Sequence, residues 1–194
     1  MKYLKFFESD VNTNRDVESL LIKYKVPLDI WGTKGYKTLN HLLSEIEEGE
    51  TVLSEVNGEL VRRVEFVGAR VIYRKGKVNY RLYEEKQVFK DGRTRKRNLP
   101  YSMAEKFKAG EDHEESIIRG MEEELDIVIN KDQFVFYNKK EIKNDDDFPG
   151  IKSTHTGYEY LVILNENQYE PDGYIERQSD KDVYFTWRIY NSMK

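Results

Sequence analysis

Apolar residues recur at intervals of three and four along the first fifty positions, and from about residue 51 the interval shortens to two. The first regime predicts helices. Over residues 16–25, Val17, Leu20, Leu21 and Tyr24 share one face. Over residues 38–48, Leu39, Leu42, Leu43 and Ile46 do the same, with Thr38 placed to cap the start and Gly49 to end the helix. Between them, residues 27–35 (PLDIWGTKG) read as a turn-rich crossing anchored by Trp31. The second regime predicts strands over 51–56, 60–73 and 78–89, the last two joined by a short turn containing Gly76, which is a hairpin signal. Beyond them the pattern gives a helix over 116–125, strands over 134–137, 158–164 and 183–189, and an acidic loop ending in Pro149 and Gly150. Strands flanking a central helix, with hairpins before and after it, point to a mixed sheet of the α/β or α+β class. Residues 1–58 are then an N-terminal helical extension and residues 59–194 the main domain.

Composition narrows the function classes. The 194 residues include 14 Tyr and 9 Phe, enough to fill a core. Charged residues make up 35% but nearly cancel, leaving a net charge of −4, so no global basic field draws the chain onto nucleic acid. With no cysteine, disulfide scaffolds and Cys-ligated metal sites are excluded, and a reducing, cytoplasmic compartment is the expectation. The opening MKYLKFFESD lacks the apolar run of a signal peptide, and apolar runs elsewhere are strand-sized, so no membrane partner is expected. His41, His113 and His155 show no metal-ligand spacing and read as surface or packing residues.

The chemistry concentrates in residues 105–127, EKFKAGEDHEESIIRGMEEELDI. Ile117, Ile118, Met121 and Leu125 form a face to be buried, while position 120 falls with Glu123 and Glu124 on a neighbouring face. Adjacent carboxylates on a rigid helix repel unless they are solvated, paired with cations or bridged by a metal. Hard ions such as Mg²⁺ take oxygen ligands of this kind, with substrate phosphate completing the shell. Glu-rich helix faces are more often simply solvated surface.

The stretch resembles the Nudix box, G-x5-E-x7-R-E-U-x-E-E-x-G-U with U a bulky aliphatic residue. Glu111 matches the first Glu, Arg119 the Arg, Met121 the first U, Glu123 and Glu124 the Glu pair, and Ile127 the last U, all without a gap. Glu105 stands where the first Gly is expected, Gly120 where the Glu after Arg is expected, and Asp126 where the last Gly is expected. The resemblance implies a Nudix-like mixed sheet sandwiched by helices over 59–194. It also implies a metal-dependent hydrolase of a nucleoside diphosphate derivative or related phosphoanhydride, with Mg²⁺ or Mn²⁺ as cofactor. Carried over by position, Glu124 is the main metal ligand and Glu123 a second ligand or the partner of Arg119. The Ala104 carbonyl is a backbone ligand, and Glu111 reaches the same place from the loop. Gly120 removes one expected ligand and puts glycine mid-helix, at a cost of about 1 kcal/mol relative to Ala. Either packing or access demands it, or the site is released from catalytic constraint. Glu105 is a candidate to return the missing carboxylate. A further late acid is expected from among Asp145, Asp146, Asp147, Glu159, Glu170, Asp172 and Glu176.

The basic segment 90–97 supplies Arg93 and Arg95 as candidate substrate or RNA contacts, with Arg70 from an early strand, against the blander reading of a solvated hairpin tip. Trp31, Tyr73, Tyr83 and Trp187 are candidate stacking residues, though aromatics so placed are more often core. The competing function is a catalytically weakened Nudix-like module that binds a nucleotide, RNA or a protein. The N-terminal extension would cover the site, set substrate choice or make a homodimer.

Overall fold

The structure, a computed structural model, describes residues 13–144 and 147–190. Its elements are α1 (Thr13–Lys23), α2 (Leu39–Glu47), β1 (Val52–Val56), β2 (Glu59–Lys75), β3 (Val78–Phe89), β4 (Thr94–Arg95), β5 (Met103–Lys106), α3 (His113–Leu125), β6 (Phe134–Asn144), β7 (Lys152–Leu164), β8 (Tyr174–Arg177) and β9 (Lys181–Ile189). This is an α+β architecture. The strands make a nine-stranded sheet whose main path runs β6-β7-β2-β3-β9-β8, with β1 and β5 paired to β2 and β4 to β3. No helix among the described residues is long and apolar enough to cross a membrane.

Three strands were not expected, the two-residue β4 and the longer β5 and β8. Strands β5 and β8 have four residues each, too few to show a period, and their sequences MAEK and YIER carry charge within the run. The basic segment 90–97 contains the two-residue β4, which pairs back onto β3. The hairpin turn at Gly76 is present: Lys75 pairs with Val78, and Gly76 takes the positive φ of 59° that such a turn requires.

The chain divides into two compact units. One is drawn from Met1–Glu65, Lys106–Glu111 and Lys140–Gly157. Its core joins Leu21, Val26, Trp31, Leu42, Leu53, Leu60, Phe148 and Ile151. Trp31 anchors the crossing as expected, its indole N–H donating to the Pro149 carbonyl at 3.0 Å and its ring 5.1 Å from that of Phe148. Thr38 caps α2 by accepting from the His41 amide, and His41 returns the bond through Nδ1.

The second unit comprises Phe66–Glu105, Asp112–Lys139 and Tyr158–Lys194. Its buried residues include Val67, Val71, Leu82, Ile117, Met121 and Phe185. The apolar face of α3 is buried at Ile117, Met121 and Leu125, with Ile118 only half-buried. Asp112 caps α3, accepting from the amides of Glu114 and Glu115, while Glu115 accepts from the Asp112 amide. At the other end Asp126 takes the left-handed conformation (φ 56°, ψ 37°) that the expected glycine would adopt more easily.

Candidate functional site

Within the second unit, three strands and α3 bring charged groups together. Helix α3 supplies Arg119, Glu123 and Glu124; β5 supplies Ala104 and Glu105. Glu176 comes from β8, which lies against α3. From β3 comes Glu84, at a register shift between Glu84 and Lys86 in the β3–β9 ladder. A bulge there re-aims side chains, and Glu84 is turned in and buried while Glu85 pairs with Lys96 and Arg188.

Gly120 is where α3 meets β5. A Cβ at this position would lie 2.9 Å from the Glu105 Cβ and 3.3 Å from its Cγ, and would collide with the Met103 methyl. The glycine is therefore a notch, and the Glu105 side chain lies across it. The mid-helix glycine thus has a packing cause. From this position Glu105 reaches Arg119 at 3.2 Å, and Arg119 also pairs with Glu123 at 2.8 Å, one helical turn on.

Glu124 has a different environment. It is partly buried, and burial pushes its carboxyl well above the usual carboxylate range. The negative charges of Glu176 and Glu105 add to that push, and together they outweigh Arg97 and a hydrogen bond from the Ala104 amide.

Arg97 grips Glu84 through both carboxylate oxygens, and its charge also bears on Glu124 and Glu176. Its guanidinium is raised, first by the Glu84 hydrogen bonds and in spite of burial. Beside it, a surface depression of about 120 Å³ is lined by Tyr83, Glu84, Lys96, Arg97, Asn98 and Arg188.

The predicted residues are therefore gathered in part. Glu123, Glu124, Ala104 and Glu105 are brought together, and among the late acids Glu176 joins them. Glu111 belongs to the other unit, where its carboxylate accepts from the Lys108 amide at 2.9 Å. Arg93 pairs with Asp91 and Arg95 with the buried Gln87, both over the Phe89 ring. Arg70 stacks 5.0 Å from the Tyr137 ring centre. The basic segment's contribution to the cluster is instead Arg97. In the sequence it is one of four cations in that segment, and nothing distinguishes it from its neighbours except a partner on β3. Glu159 is buried and accepts from Tyr101 and Asn138; Asp147 pairs with Lys37 in the first unit. Asp145 and Asp146 lie outside the described residues. Of the candidate stacking aromatics, Tyr73 stacks on Tyr169 at 3.8 Å and Trp187 tilts against both, so these rings satisfy one another.

Carboxylates that repel one another are the kind of donor a hard divalent cation takes. As the side chains stand, Arg119 holds Glu105 and Glu123 while Arg97 holds Glu84, and among the described residues no three Asp, Glu or His groups converge in ligating geometry.

The sequence matches no protein-family model and no curated protein. Solved structures do match in shape. The C. elegans Ap4A hydrolase is 13% identical, over 63% of this chain and 77% of that one, with a TM-score of 0.35. A MutT/nudix family protein from Enterococcus faecalis is also 13% identical, over 94% of this chain but 57% of its own length, with a TM-score of 0.45. The NUDIX domain of Shewanella oneidensis NrtR, solved with ADP ribose, is 12% identical over 64% of this chain and 71% of that one, with a TM-score of 0.36.

Proposed function

We propose that this protein is a Mg²⁺- or Mn²⁺-dependent hydrolase of a nucleoside diphosphate derivative or related phosphoanhydride. The observation that carries the reading is the setting of Glu124. It is a partly buried carboxyl on the helix with the box spacing, crowded by Glu176 and Glu105 and facing the Ala104 main chain. Such crowding is costly without a cation, and a metal ion here would neutralise phosphate charge and lower the pKa of an attacking water. Glu124 and Glu123, with the Ala104 carbonyl, are the groups that would hold it, and Glu176 is the late acid. Arg119 orients Glu123 from one turn away. Arg97, tethered by Glu84, presents a fixed guanidinium beside the depression, suited to a phosphate oxygen.

One observation favours a second reading, a nucleotide-binding module without turnover: Glu105 and Glu123 are already paired with Arg119. A single experiment separates the two. Phosphate and nucleotide release is followed over a panel of nucleoside diphosphate derivatives, with Mg²⁺ or Mn²⁺, for the wild type and Glu124→Gln. Metal-dependent turnover that falls by roughly a hundredfold or more in the variant supports the hydrolase, a loss in the range seen for groups that stabilise transition-state charge. No turnover, with nucleotide binding unaffected by metal or by the variant, assigns the binding module.

A further inference from the structure

Strand β6 ends the sheet: β7 pairs with it on one side, and among the described residues no strand pairs with the other. An open edge presents unpaired N–H and C=O groups, which proteins commonly protect with charge or proline. The first half of β6 has neither. The run Phe134 to Tyr137 is uncharged, and Val135, Phe136 and Tyr137 are 60%, 47% and 38% exposed. These three are consecutive, so apolar surface is open on both faces of the strand. Exposed charges flank the run, Lys131 and Asp132 before it and Lys139, Lys140 and Glu141 after it. We infer that this edge is an interface with a second copy of the chain, in which β6 pairs antiparallel with the partner's β6 about a two-fold axis at Phe136.

The register selects the occupant. A two-fold axis that joins two antiparallel edge strands into one sheet stands perpendicular to it, so each face continues as the same face in the partner. Opposed residues must share a face, and the axis therefore passes through a residue rather than between two. With the axis at Phe136, Val135 faces the partner's Tyr137 and Phe134 faces the partner's Asn138. The turn before β6 then brings Asp132 to the partner's Lys140 and Lys131 to the partner's Glu141, so opposite charges meet at both ends of the apolar centre. Moving the axis to Val135 sets Lys131 against the partner's Lys139. Moving it to Tyr137 sets Val135 against that lysine and Lys131 against the partner's Lys143. Parallel in-register pairing puts Lys139 and Lys140 against their own copies. Opposite charges across a strand pair stabilise it and like charges destabilise it, which leaves the axis at Phe136. The match is of β6 with itself, and it commits the edge to a second copy. Phe136 is also held in place within one copy, its ring 6.0 Å from that of His113 at the start of α3, so little order has to be gained on association.

The interface stands apart from the hydrolase reading and is tested without substrate. Sedimentation equilibrium of the full chain, from roughly 1 to 200 μM, is compared for the wild type, Val135→Lys, Asp132→Lys and the charge exchange Asp132→Lys/Lys140→Asp. All three positions are exposed in one copy, so the substitutions leave its fold intact. One strand pair is a small interface, and the wild type should dimerise in the micromolar range. Asp132→Lys turns two attractive contacts per dimer repulsive and should weaken association by roughly tenfold or more. The charge exchange restores both contacts and should recover affinity to within about threefold of wild type. Val135→Lys puts a charge in the apolar centre and should leave the chain monomeric throughout. A wild type that stays monomeric over the whole range overturns the inference and leaves the edge to a partner of another kind. A dimer that none of the variants weakens is built elsewhere on the chain and overturns it as well. A dimer broken by Val135→Lys but indifferent to Asp132→Lys overturns the axis at Phe136.

Discussion

Arg97 holds Glu84 through both carboxylate oxygens. Glu84 is buried on β3, whereas the Arg97 side chain remains 39% exposed, so the pair is half in and half out of water. That asymmetry decides what each partner does. The acid cannot be left alone, and the arginine can offer its outer edge to something else.

Removing the arginine should therefore cost stability. Arg97→Gln leaves a buried carboxylate with no counter-charge, a situation worth about 3–5 kcal/mol when both partners are fully buried. With Arg97 partly solvated, the expected loss is about 2 kcal/mol by urea denaturation. The double variant Glu84→Gln/Arg97→Gln should recover at least half of it, because no unpaired charge remains. Additive losses in the double variant would show that the two side chains act independently.

At position 120, helix propensity and packing oppose each other. Ala is favoured over Gly within a helix by about 1 kcal/mol. The added methyl group, however, meets the Glu105 Cβ at 2.9 Å, and that atom moves only if β5 moves. Overpacking of this kind costs about 1–3 kcal/mol, so Gly120→Ala should be destabilising by about 1 kcal/mol net. The melting temperatures of Gly120→Ala and Gly120→Ala/Glu105→Gly decide the matter. The double variant should melt higher than the single one, and a stabilised single variant would remove the notch from the account.

Tyr101 is buried and donates its hydroxyl to Glu159 at 2.5 Å. Burial and that hydrogen bond raise the phenol above its ordinary pKa of 10.0, and Tyr137 is pushed up to about 12, chiefly by burial. A phenol whose folded pKa is raised contributes stability that is complete below its unfolded pKa and is lost as pH rises toward the folded one. In a spectrophotometric titration the buried Tyr101 should ionise only with unfolding. Tyr101→Phe leaves Glu159 with Asn138 and Tyr137 and should cost about 1–3 kcal/mol at neutral pH. A loss below about 0.5 kcal/mol would mean that solvent replaces the hydroxyl.

Periodicity carried most of the secondary structure, because helices α1 to α3 and strands β2, β3, β7 and β9 are long enough for an apolar period to show. Strands β5 and β8 escaped for the opposite reason: four residues with charges among them have no readable period. The candidate site divides along the same line. Glu123 and Glu124 sit at fixed spacings on one helix and could be placed from sequence. Glu176 was one of seven late acids, and only the approach of β8 to α3 selects it. Arg97 was one of four cations within five residues, and only Glu84 across the ladder sets it apart. The positions of Glu105 and Gly120 were visible as departures from a pattern. Their contact was not, since it depends on how closely β5 passes the helix.

The first unit carries a charge cluster that no spacing along the chain announces, and it yields the clearest pH dependence. Arg62 is 1% exposed and donates to Glu45, which also takes Lys37 at 2.6 Å, Lys106 at 2.9 Å and Thr51 at 2.9 Å; the guanidinium lies over the Phe148 ring. Burial alone would push the Glu45 carboxyl up. Lys37, Lys106 and Arg62 overcome that and hold it well below its ordinary value of 4.5. A depressed carboxylate contributes stability that is complete above the unfolded pKa and is lost as pH falls through the folded one. The wild type should therefore lose stability progressively as pH drops below about 4.5, in urea midpoints taken from pH 7 to pH 2.5. Glu45→Gln leaves Arg62 buried without its counter-charge and should cost about 3–5 kcal/mol at pH 7. Since glutamine does not titrate, the gap between the two proteins should narrow as the medium becomes acid. A gap that stays constant down to pH 2.5 would show that Glu45 contributes its shape and hydrogen bonds, and that its charge does not support the unit.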